Sequence, residues 1–166
     1  MSARVAIALM LVQVVPCMAA GEAAPMERLG ALVGVWEGGG TFRRGPGEPT
    51  PFVGREVVEA RLDGKIVTVE GTHWTSDRSR MVHHAFAVFS PGADGEYRFQ
   101  TWLASGPGGD YRAWWDGEDL VWEIPTEAGR IRYFIRIEGD EWREIGRIER
   151  GGAWRDFFEM TLKRVR

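Results

Sequence analysis

Cysteine is almost missing from this sequence: its one residue, Cys17, lies near the start, and nothing after it carries a thiol. Disulfide scaffolds, thiolate metal sites and a cysteine nucleophile are therefore excluded for everything beyond that point. Histidine is also scarce, with His73, His83 and His84 close together and none later. Positive charge is not in excess either; 21 basic residues face 24 acidic ones, the signs are interspersed, and the formal net charge is -3. Nucleic acid is not an expected partner of such a chain.

The first residues read as a targeting segment. Arg4 supplies a positive end, Val5 to Val15 an apolar run, and Met18-Ala19-Ala20 a small-residue cleavage site. The apolar run is about eleven residues, roughly half of what a helix needs to cross a bilayer, so a permanent span is not expected. These features predict a signal peptide over 1–20, a folded domain over 21–166 and a periplasmic or secreted location. Lipid attachment at Cys17 is the rival reading, and Pro16 departs from the small residue that lipoprotein signals place before the cysteine.

Past this segment, Pro25 to Val33 places proline first and the apolar residues Met26, Leu29, Leu32 and Val33 at helical spacing, which predicts one short helix. No further helical period of useful length follows. Instead, short runs rich in Val, Ile, Phe, Tyr and Trp recur at 34–43, 52–61, 65–74, 82–90, 96–103, 109–116, 119–124, 130–138, 141–149 and 154–164. Between them stand Asp63-Gly64, Asp94-Gly95, Asp116-Gly117, Gly139-Asp140 and Gly151-Gly152, residues that accept the positive φ of tight hairpin turns.

Alternation assigns the faces, because successive side chains on a strand point to opposite sides of the sheet. In the eighth run Ile131, Tyr133, Ile135 and Ile137 share one face and Arg130, Arg132 and Arg136 the other; in the tenth, Phe158, Met160 and Leu162 oppose Arg155, Glu159 and Lys163. The arginine-rich face is expected to be solvated, since Glu138, Asp140 and Glu141 follow it directly. A chain of hairpins without a long crossing connection predicts an all-β fold, a single up-and-down antiparallel β-barrel of about ten strands, its end closed by the short helix.

The most specific local signal is Leu32-Val33-Gly34-Val35-Trp36, a helix end running into a glycine-rich first strand that carries one indole. It resembles the Gly-x-Trp start of lipocalins and their relatives, in which an arginine near the end of the last strand packs on that tryptophan; Arg164 occupies the matching place. With the Leu62-Asp63-Gly64 turn and the ending Phe157 to Val165, residues 26–166 resemble a bacterial family of lipocalin-like, calycin-type barrels that has no agreed function, with distant similarity to fatty-acid-binding-type barrels. The resemblance implies architecture; function does not follow from fold. Gly34-x-Trp36-x-Gly38-x-Gly40 is also similar to the opening of nitrobindins, which hold haem through a histidine near the C-terminal end. Here the last histidine is His84, so that ligand is lacking and no cofactor is expected.

Eight tryptophans in a small domain suit a barrel with an aromatic interior. Most are expected in the core. Trp114 and Trp115, adjacent on one strand, must face opposite ways. The expected function is binding of a small apolar ligand, with a pocket drawn from Trp102, Trp114, Trp122, Tyr133 and Trp142 and a polar anchor from Arg112 or Glu144. Two other functions compete: a filled barrel acting through its surface as an envelope interaction module, and a cofactor-free enzyme using a carboxylate or histidine inside the barrel. For the enzyme, Glu70 and Glu144 are the candidates to alternate inward, where burial would raise their pKa. The structural alternative pairs such a carboxylate with Arg98, Arg112, Arg132 or Arg147 across the sheet. No metal site is expected, because His83 and His84 point to opposite faces and at most one can join His73.

Overall fold

The computed structural model describes residues 25–43, 45–127 and 129–166. The expected signal segment 1–20, Cys17 included, lies outside these residues. A short 3-10 helix, Met26–Leu32, leads into ten strands: β1 (Gly34–Phe42), β2 (Thr50–Arg61), β3 (Ile66–Thr75), β4 (Met81–Pro91), β5 (Tyr97–Leu103), β6 (Gly106–Asp116), β7 (Asp119–Thr126), β8 (Gly129–Glu138), β9 (Glu141–Arg150) and β10 (Ala153–Arg164). Each strand pairs antiparallel with its chain neighbours, and β1 also pairs with β10, so the sheet closes into the expected up-and-down barrel. Closure removes the two unpaired edges that an open meander would expose.

Hairpin turns set the strand lengths. At Asp94-Gly95 both residues take positive φ, 54° and 76°, the geometry whose twist matches that of the flanking strands. The largest departure from the sequence reading is β6, which starts at Gly106, three residues before the expected 109. A Gly-Pro-Gly-Gly run reads as a turn, yet it stays paired to β5 beside a register shift at Thr101/Leu103. Glycine is required there by space: a Cβ on Gly108 would lie 1.6 Å from the Thr101 carbonyl oxygen.

Inward-facing residues build the core. Leu29 and Leu32 of the helix, Trp36 of β1, Trp142 of β9 and Leu162 of β10 are fully buried at one end of the barrel. Trp36 meets Trp142 edge to face with centroids 5.6 Å apart and donates its indole N–H to the Leu32 carbonyl at 2.8 Å. Tyr97 ties the helix down by donating to the Pro25 carbonyl at 2.9 Å while accepting from the Trp115 indole at 3.0 Å.

The seam between the first and last strands lies beneath this helix. Trp36 and Arg164 are directly paired across β1 and β10, and the guanidinium sits 4.0 Å from the indole centroid. Arg164 also donates to the carbonyls of Val33 and Ala31, the latter at 2.9 Å. Gly34, with φ 145°, makes the helix-to-strand bend, and a Cβ there would lie 2.6 Å from Arg164 Nη1.

Replacing Arg164 with Met keeps the side chain's length and removes the cation and both donors. A loss of about 3 kcal/mol in unfolding free energy is expected from the cation–π contact and the charge-assisted hydrogen bonds together. Urea denaturation monitored by tryptophan emission measures it; a change below about 0.5 kcal/mol would show that the seam does not depend on this residue.

Candidate functional site

Ten strands enclose more width than their side chains fill, and the barrel holds a cavity of about 420 Å³ that opens at the end opposite the helix. Its deep wall is made by Phe89, Ile135, Trp142 and Met160, and its middle by Phe99, Tyr111, Trp122 and Tyr133. The aromatic rings are layered: Trp122 stacks on Tyr133 with centroids 4.2 Å apart and planes 5° from parallel, and Phe99 lies 4.9 Å from Trp122.

Two β-bulges shape the mouth. The pairing of β3 with β4 shifts between His73 and Trp74, which leaves Val82 as an extra residue beside His83. The pairing of β10 with β9 shifts between Asp156 and Phe158, which leaves Phe157 as the extra one. A bulge re-aims a side chain, and so Val82, His83, Phe157 and Phe158 all line the cavity although they are neighbours in sequence.

Within this apolar wall stand three buried polar side chains, Glu56 of β2, His73 of β3 and Glu144 of β9. His73 stacks on Phe52 at 4.6 Å, and its Nε2 lies 3.1 Å from Glu56 Oε1. Glu144 Oε2 accepts from the Trp142 indole N–H at 3.2 Å. Burial pushes the Glu56 carboxyl up to about 8 and His73 down to about 4. At neutral pH the proton of this pair therefore sits on the carboxyl, which donates to the imidazole. Glu144 is likewise pushed up to about 8, by burial first and by the nearby Glu56 second. His83, 5.1 Å from His73 between ring centroids, is lowered to about 4, mainly because part of its ring is removed from water and partly by the other two histidines.

Of the residues expected to form the pocket, Trp122, Tyr133, Trp142 and Glu144 line the cavity, whereas Trp102, Trp114 and Arg112 face outward. Parity explains the division: on β5, Tyr97, Phe99, Thr101 and Leu103 point in, which sends Trp102 out against Phe86, and on β6, Tyr111, Ala113 and Trp115 point in. Trp114 lies between Arg112 and Arg132 on the outer face. Trp74, Trp102, Trp114 and Trp154 all sit at outward positions, so four of the eight indoles are not core as expected.

Two further expectations are corrected. Glu70 points outward and contacts His84 Nε2 at 3.0 Å; the inward carboxyl on this side is Glu56. Glu144 has no arginine partner, because Arg98, Arg112, Arg132 and Arg147 pair with Asp110, Glu96, Glu123 and Asp156 on the outer face. Glu56 was within reach of the pattern Phe52-x-Gly54-x-Glu56-x-Val58, which alternates correctly. Val53 and Val57 on the opposite face obscure it. Of the two adjacent histidines, which must face opposite ways, His83 joins His73 at the cavity while His84 contacts Glu70 on the outer face.

The buried groups make stability depend on pH in a defined sense. A raised carboxyl pKa means that the folded protein keeps a proton that the unfolded chain has released, so stability falls as pH rises from about 4.5 toward 8. His73 and His83, with lowered pKa, act oppositely between about 4 and 6.5. Above that window only the carboxyls contribute, and stability should drop by about 1.4 kcal/mol per pH unit for each, until pH 8 is reached. Urea midpoints measured across this range should show the fall, and Glu144→Gln should reduce its slope by about half; a flat or rising profile would contradict the assignment.

Neither a family model nor a curated protein matches the sequence. Among solved structures, the barrel is similar to the crystal structure of Rv2717c from M. tuberculosis, with a TM-score of 0.68 and 18% identity, covering 87% of this chain and 100% of that one. At that identity the similarity concerns the ten-stranded architecture alone.

Proposed function

We propose that this chain is an exported carrier or scavenger of a small, largely apolar molecule, held inside a lipocalin-like barrel. The cavity carries the proposal: about 420 Å³ falls within the range of small-molecule sites, and aromatic walls with a few converging polar groups are their usual lining. An interior with that much space speaks against a filled barrel working only through its surface. Kinship with lipocalin-like barrels is supported by Trp36 and Arg164, which meet across the seam as the Gly-x-Trp resemblance implies. Export, to the periplasm or beyond the cell, is supported by Arg4, the Val5 to Val15 run and the small residues before Gly21.

The Glu56–His73 contact also suits proton transfer, so a bound molecule could be altered as well as held. One experiment separates the two outcomes. Nile red, a neutral apolar dye, should gain emission with a shift to the blue when the protein is added. Trp122→Ala should weaken its binding by about tenfold, and Ala85→Trp, which fills the cavity, should abolish it. Compounds that displace the dye are then recovered and compared with the starting compound by mass spectrometry and NMR, because isomerisation by proton transfer leaves the mass unchanged: an unaltered structure supports carriage, an altered one supports catalysis, and absence of any dye response would overturn the binding function itself.

A further inference from the structure

The polar lining of the cavity has one sign. Glu56 and Glu144 project into it from β2 and β9, at 6% and 9% exposure, while no arginine or lysine lines it among the described residues. Each carboxyl spends a single oxygen on protein, Oε1 of Glu56 on His73 and Oε2 of Glu144 on Trp142. Among the described residues no fully buried side-chain N or O atom lacks a partner. The two oxygens left over are therefore those that the cavity keeps accessible. The wall leaves room for one of them: a Cβ on Gly71 would lie 2.6 Å from Glu56 Oε2, so a larger residue there would shift this carboxyl from its place against β3.

Resting on the binding function proposed above, we infer that the ligand is an apolar chain or ring system bearing a protonated amine, its ammonium group received by the free oxygens of Glu56 and Glu144. An ammonium offers three donors and no acceptor, the complement of two acidic groups with open acceptor positions. Charge-assisted bonds of this kind are about twice as strong as neutral ones, and more valuable where water is excluded. An anionic head group would find no cation beside it, and could accept a hydrogen bond only while a carboxyl keeps its proton. Simple fatty acids are thus disfavoured, although the apolar wall would hold their tails.

The empty cavity tolerates its acidic pair because burial keeps both protonated toward pH 8. Binding an ammonium must expel protons. The titratable groups facing this pair from the surrounding strands are His73 of β3, His83 of β4, Tyr111 of β6 and Tyr133 of β8. Both histidines stay neutral and Tyr133 stays protonated between about pH 6 and 8, so proton release there belongs to the carboxyls.

Displacement of Nile red by decylamine, decanol and decanoate, equal in chain length, tests the inference. Decylamine should bind at least about tenfold tighter than decanol near pH 7.5, with decanoate weakest. The amine's advantage should widen by up to about tenfold per pH unit between pH 6 and 7.5, for each proton released, while decanol stays level. Glu144→Gln and, separately, Glu56→Gln should each shrink the ratio of decylamine to decanol affinity, both measured in the same variant, by about tenfold, and an undiminished ratio in a folded variant would overturn the assignment; either variant suffices if the other does not fold. Decanol equal to decylamine, or decanoate tighter than it, would overturn the amine assignment while leaving apolar binding intact. If none of the three displaces a bound dye, or the dye does not bind, the cavity is not an alkyl site and both readings fall.

Discussion

The structure depends on the seam where β1 meets β10. An antiparallel meander has two free edges, and its apolar face is shielded only if those edges find each other. Here the joining residues are Trp36 and Arg164, directly opposed across the last ladder, with the guanidinium held over the indole and bonded to the carbonyls where the helix ends. Strand pairing, helix docking and burial of the floor are thereby coupled through one cation. The backbone takes part as well: Val35 donates to the Arg166 carbonyl at 2.8 Å, and Val165 donates to that of Val35 at 2.7 Å, extending the ladder past the side-chain contact.

Closure at one end leaves a cavity at the other. The helix, Trp36, Trp142 and Leu162 fill the floor, so the remaining interior volume collects above them and beneath the bulged rims of β4 and β10. Within that space the protein does something costly, burying two carboxyls without an arginine or lysine beside them. Protonation lowers the cost but does not supply partners for the open oxygens. Outside, by contrast, acid and base are matched pair by pair: Arg98 with Asp110, Arg130 with Glu149, Arg136 with Asp119. The exterior thus pairs acid with base, whereas the two interior carboxyls are held only by a histidine and an indole.

Most of the architecture could be read from the residues in order. The period of two in β8 and β10, and glycine with aspartate at the hairpins, lead to the barrel directly, because turn chemistry and face polarity are local properties. The candidate site was legible only in part. Trp122, Tyr133, Trp142 and Glu144 were reached because large inward aromatics and a nearby acid stand out. Trp102 and Trp114 were misassigned, since an indole's bulk says nothing about parity, and parity within a strand is fixed by its neighbours' register. Glu56 was hidden because β2 carries Val53 and Val57 on one face and Val58 on the other, whereas on β3 Val67 and Val69 share the inward face, so alternation there already sets Glu70 outside.

The sequence by itself determined the fold class, the number of strands, the closing tryptophan and arginine, and the lack of any thiol after Cys17, since these follow from which residue types are present and how they alternate. Only the tertiary structure decided which carboxyls are buried, that His73 and His83 meet inside, and that Val82 and Phe157 reach the cavity. Bulges and cross-strand register bring these groups together from β2, β3, β4, β9 and β10. A residue's desolvation is set by what the other strands place around it, and that arrangement exists only once the sheet has closed.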